Sequence, residues 1–140
     1  MKIRIHPLPL RQRAQSLVEL GLGLMAILWL LSGAVDFGIG FYSYVAVRDA
    51  AQEGALYGSV YPTGNIEARV RSSSATPVDL TNTSNVHVTI PPFTACAGNP
   101  LTVTVQYDYP IMMALTNLVT GPVIHIRSSA TSVILVPACT

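Results

Sequence analysis

The sequence predicts an α+β chain: one long N-terminal transmembrane helix, then a small antiparallel β-sheet domain with a short helix. Three observations predict it. The run LGLGLMAILWLLSGAV, from Leu20 to Val35, contains no charge; no proline interrupts the chain between Leu10 and Pro62; and alternating strand patterns are confined to the second half. With 140 residues, the chain has room for one modest domain beside such a helix. Half of it is hydrophobic and only 11% is charged, against roughly a quarter charged in ordinary soluble domains. Disorder along the whole length is therefore excluded. A net charge of +1 argues against a nucleic-acid binder, which would carry a basic stripe or an extreme pI.

The N-terminal segment is basic. Lys2, Arg4, Arg11 and Arg13 precede the first acid, Glu19, while Arg48, Arg69, Arg71 and Arg127 face all seven acids in the remainder. A basic head before an apolar run predicts a single-pass protein with its N-terminus in the cytoplasm and its tail outside. Residues 1–14 form the leader, 15–58 the transmembrane and stalk helix, and 59–140 the exported domain.

After Val35 the apolar pattern resumes beyond Asp36 with FGIGFYSYVAV, so the helix exceeds the roughly 20 residues that cross the hydrocarbon. The run is also longer than the apolar core of a cleaved secretory signal, which fits less well. Glycines inside it permit close helix approach in lipid. From Val47 the helix turns amphipathic: Val47, Ala50, Ala51, Ala55 and Leu56 keep helical spacing, while Arg48, Asp49, Gln52 and Glu53 suit water. Gly58, Pro62 and Gly64 are expected to stop it. Glu19 reads either as an interfacial acid that snorkels to the headgroups or as a partner for a positive group on a neighbouring chain. Asp36, roughly 25 Å further along the helix, is expected at the outer interface, and a proton relay there is the minor alternative.

The domain begins with a short helix over Asn65–Ser73, capped by Thr63 or Asn65. Ile66 and Val70 share one face, and Glu67 pairs with Arg71 on another; Arg69 and Arg71 read as a solvated face. SSSATPVDLTNTSN is a loop, and it carries the formal glycosylation sequon Asn82-Thr83-Ser84. Strands follow at 86–90, 101–109 and 123–136. Alternation in the second puts Leu101, Val103, Val105, Tyr107 and Tyr109 on one face, which predicts a sheet buried on one side. The apolar crossover PIMMALTNLVTG reads first as a lid over the domain's own core, then as an element that packs on a neighbour or dips into the membrane. Cys96 and Cys139 can form a disulfide in an oxidising compartment, closing a loop of about 44 residues and stabilising by about 2–4 kcal/mol.

Chemistry is sparse. His87 and His125 can share a sheet face but read as ordinary strand residues rather than a metal pair. No nucleophile elbow, phosphate loop or paired catalytic carboxylates occur, so neither an enzyme nor a cofactor, metal or small-molecule substrate is expected.

The residues of the helix resemble a known family. A basic leader, Val18-Glu19 just inside the apolar block, Asp36-Phe37-Gly38, the pair Phe41-Tyr42, and Ala50-Ala51-Gln52-Glu53-Gly54-Ala55 together resemble the TadE-like family of the tight-adherence (Tad) pilus system, over Arg13 to about Ser59. The resemblance implies a pilin-like helix and a pseudopilin processed by a prepilin peptidase. It also implies that Glu19 is the fifth residue of the mature chain, so that Gln15 is the first and Ala14 precedes the cut, where the family carries Gly. Such a protein would assemble with other pilins or pseudopilins on a pilus assembly platform, as a minor pilin of an adhesive or secretory filament, Glu19 neutralising the amine of a neighbouring helix. The alternative is a single-span accessory subunit of a stable membrane complex that keeps its leader.

Overall fold

The computed structural model describes residues 10–112 and 114–136, with side chains from Ala14 onward except at 114–116. Cys139 and the leader residues Lys2 and Arg4 lie outside the described residues. The elements are α1 (Leu10–Val60), α2 (Ile66–Ser72), β1 (Val86–Thr89), β2 (Pro100–Pro110), α3 (Ala114–Thr120) and β3 (Val123–Val133). The chain is thus a long apolar helix followed by a three-stranded antiparallel sheet and two short helices, an α+β arrangement.

Helix α1 runs unbroken for 51 residues, about 76 Å at 1.5 Å per residue. It begins at Leu10 rather than Gln15 and ends at Val60 rather than Gly58, because a glycine weakens a helix without ending it and Gly58 is held by packing. The tight turn follows at once, with the Gly64 N–H bonded to the Tyr61 carbonyl at 2.9 Å. Asn65 caps α2, its Oδ1 accepting the Ala68 N–H at 2.9 Å, and Ile66 and Val70 are buried beneath it.

The strands form a meander in the order β1-β2-β3. Val86 pairs with Tyr107 in the first ladder, and Leu101 with Ser132 and Tyr109 with Ile124 in the second. The buried face of β2 lies on α1. Leu101, Val103 and Val105 are fully enclosed, together with Val47, Ala50, Ala51, Val70, Leu80, Val86 and Ile134. Small residues on α1 make this approach possible, and β-branched residues on β2 fill a pleated surface well.

β2 runs down α1, antiparallel to it. Leu101 lies over Gly58, Val103 over Gly54 and the Tyr109 ring over Gly40. The eight strand steps from Leu101 to Tyr109 cover about 26 Å, and the eighteen helix steps from Gly58 back to Gly40 cover about 27 Å. The two elements therefore stay matched over the whole contact. After β3 climbs back, the Leu135 N–H bonds to the Ser59 carbonyl at 2.8 Å, tying the chain to the top of α1.

Candidate functional site

The surface that sets this chain apart is α1, and its residues divide it into two sections. From Ala14 to Leu31 every described residue is exposed, among them Leu17, Leu20, Leu24, Ile27 and Leu30. A helix apolar all round belongs in a bilayer or among other apolar helices, and α1 is long and apolar enough to cross a membrane. From Gly33 onward one side is covered by the domain. Asp36, Ser43, Val47, Ala50, Ala51 and Gly54 are buried there, at spacings that keep them on one helical face.

The flank beside that face stays partly open. Phe37, 75% exposed, stacks on Phe41 with ring centroids 6.3 Å apart, and Tyr44 follows one turn on. With Leu30 these residues recur at intervals of three, four or seven, so they form one stripe. The stripe continues the apolar surface of the bilayer section up the stalk.

Asp36 sits deeper than the sequence alone suggests. It is only 4% exposed, because the end of β2 folds down beside it. An apolar groove of about 400 Å³ is bounded by Asp36, Phe37, Gly40, Tyr109 and Ile124. Burial, then the charge of Asp36, then Tyr107 hold the Tyr109 hydroxyl above its ordinary value. Its Oη is buried without a hydrogen-bond partner among the described residues. Glu19, by contrast, lies on the uncovered section, as do Ala14 and Gln15, which are consecutive residues inside α1.

Glu53 and Gly54 each contact the domain. Arg69 of α2 donates from Nε to Glu53 Oε1 at 2.8 Å and makes a second bond through Nη2. Arg69 is therefore not simply a solvated residue. Its guanidinium also lies 6.0 Å from the centre of the Tyr57 ring. Arg71 pairs with Glu67 at 2.8 Å, as the four-residue spacing predicts, and also donates to the Leu80 carbonyl at 3.0 Å. A second, polar groove of about 510 Å³ runs beside this contact, lined by Asp49, Glu53, Arg69 and Ser72 among others.

On the outer face of the sheet, His125 Nδ1 bonds Asp108 Oδ1 at 2.7 Å, and His87 Nε2 lies 3.9 Å from Asp108 Oδ2. The His125 bond, then one from Gln106, holds the Asp108 carboxyl below its ordinary value. Among the described residues no group of three His, Cys, Asp or Glu side chains is placed to hold a metal. Cys96 is half-buried in the loop before β2.

Sequence reasoning missed Gly58 and Arg69 as packing residues. A glycine at helical spacing from Gly54 was the available signal for the first. Nothing local signals the second, since its partner is 16 residues away.

The family of TadE-like proteins matches residues 14–56, the stretch that contains both sections of α1 described above. No curated protein and no solved structure matches the chain. The match associates the chain with the Tad pilus, and with the apolar helix it fits a membrane-anchored protein.

Proposed function

We propose that this chain, a TadE-like protein along its membrane helix, is a minor pilin or pseudopilin that takes part in assembling a Tad-type filament, adhesive or secretory. The observation that carries the reading is the stripe of Leu30, Phe37, Phe41 and Tyr44. It leaves the bilayer section along the flank of the sheet-covered face, where its side chains remain exposed, and it needs other apolar helices to bury it once the chain leaves lipid. The basic leader sets the orientation, N-terminus in the cytoplasm and residues 59–140 outside. A prepilin peptidase would cut between Ala14 and Gln15, freeing an amine that the Glu19 carboxylate of an adjacent chain neutralises. An unpaired charge in so apolar a setting is costly, so that pairing selects the stagger between helices.

A photoreactive group at Phe41 in cells tests the reading. Crosslinks to other pilins or to the assembly platform support it, whereas crosslinks to lipid alone overturn it. One second reading has an observation of its own. Ala14 replaces the family's Gly, and the Ala14–Gln15 bond lies within continuous helix, which suits an accessory subunit that keeps its leader. Intact mass separates the two: a chain starting at Gln15 supports processing, and one starting at Met1 or Lys2 supports retention.

A further inference from the structure

Among the described residues of the segment between β2 and β3, the large apolar side chains of Met112, Leu118 and Val119 do not form a lid. The neck of the segment is closed by the Ile111 N–H bonding the Pro122 carbonyl at 3.0 Å. Beyond the neck, α3 ends at Gly121, whose φ of +86° and N–H bond to the Asn117 carbonyl at 3.0 Å form a left-handed helix cap. Leu118 is 85% exposed, and Met112 and Val119 are each 67% exposed, so these side chains cover no core.

Their height along α1 is the informative fact. Because β2 runs down α1 to Tyr109, the excursion after it continues past the sheet's lower end. Val119 and Thr120 share a groove with Trp29, Leu30, Gly33 and Ala34, and all four of those helix residues belong to the charge-free run Leu20–Val35. Whatever lies beside them lies at the level of the bilayer. The sequence agrees: between Asp108 and Arg127 there is no Asp, Glu, Lys or Arg, in keeping with an element that leaves water.

We propose that α3 is a second, shallow membrane contact, with Met112, Leu118 and Val119 seated in the outer leaflet beside the upper end of the α1 span. The occupant of this surface is lipid, because the surface continues the apolar exterior of α1 at the same depth. The effect is geometric. Neighbouring helices and interfacial anchors set the rotation of a crossing helix, and a side foot in the leaflet adds an anchor that holds the domain at a set height and azimuth before assembly. The inference rests on the membrane-anchored reading of α1.

The test uses the full chain in phosphatidylcholine–phosphatidylglycerol vesicles containing lipids brominated near the headgroup end of the acyl chains. Trp29, the single tryptophan, reports on the anchor. The Trp29→Phe/Leu118→Trp variant reports on α3, and Trp29→Phe/Tyr61→Trp gives a reference at the far end of the domain. The expected result is blue-shifted emission and loss of most of the signal for both Trp29 and position 118, with position 61 unaffected. Quenching of Trp29 while position 118 behaves like position 61 overturns the inference and leaves the anchor intact. A blue shift at position 118 that brominated lipid does not quench, and that disappears on dilution, assigns the surface to a second protein chain and overturns it too. If neither Trp29 nor position 118 is quenched, the anchor itself fails, and the inference with it.

Discussion

Gly54 of α1 presents bare backbone to Val70 of α2, whose Cγ2 fills the space a side chain on Gly54 would need. One turn on, Gly58 does the same for Leu101 and for Ile66, whose Cδ1 would lie 2.8 Å from an added Cβ. These two glycines set how closely the domain sits on the helix.

Alanine at either position therefore brings two opposed effects. Helix propensity improves by about 1 kcal/mol, while overpacking in an enclosed core costs about 1–3 kcal/mol. At Gly58 two buried side chains must move, so overpacking wins, and Gly58→Ala is expected to destabilise the docked domain by about 1–2 kcal/mol. Gly38→Ala meets nothing within 4 Å and should leave stability level or slightly raised. Urea unfolding of the full chain in detergent micelles, followed by tyrosine near-ultraviolet circular dichroism, compares them.

The contact between Glu53 and Arg69 bridges the same two helices but stays half in water, with side chains 38% and 52% exposed. Exposed ion pairs are worth about 0–1 kcal/mol. A double-mutant cycle of Glu53→Gln and Arg69→Gln should yield a coupling inside that range. A coupling well above it would mean that the pair, rather than the apolar interface, holds α2 to the stalk.

Much of this was legible in the residues, for physical reasons that differ by element. The alternation from Leu101 to Tyr109 is sharp because one face of β2 lies on α1 and the other meets Thr131 and Ser129 through hydroxyl contacts of 2.9 and 3.1 Å. Asn65 and the Glu67–Arg71 pair act within one or two turns, so spacing alone reveals them. The burial of Asp36 and the exposure of Leu118 depend instead on where β2 stops along α1. That is a matched-length relationship between distant segments, which periodicity within either one does not encode.

The acid behaviour of the sheet follows from Asp108. Hydrogen bonds from His125 and then Gln106 hold its carboxyl low, so the folded state favours the ionised form. That contribution is present above the ordinary carboxylate value of about 3.9 and is lost as pH falls through the lower folded value. In a carboxyl-detected titration of the full chain, His125→Ala should move the Asp108 midpoint up towards the ordinary range. An unmoved midpoint would assign the effect to Gln106.

The Cys96–Cys139 disulfide is a proposal with a direct chemical readout. Alkylation of unreduced, denatured protein should leave both thiols unlabelled, and reduction should lower stability by about 2–4 kcal/mol. Two labelled cysteines would refute it.

Glu19 separates assembly from insertion. It sits on the uncovered section of α1, with no domain residue placed to partner it among the described residues. Near the headgroups an isolated carboxylate reaches water by extending its side chain, so insertion does not depend on it. Among staggered apolar helices that water is gone, and a carboxylate facing the amine of the next chain becomes the cheapest way to satisfy both charges. Glu19→Ala should therefore still fractionate with membranes after carbonate washing, yet recover far fewer partner pilins in a pulldown. Glu19→Asp, which keeps the charge on a shorter stem, should restore part of the loss. Equal recovery with Ala would show that charge pairing does not choose the stagger, leaving the stripe of Leu30, Phe37, Phe41 and Tyr44 to do so through packing alone.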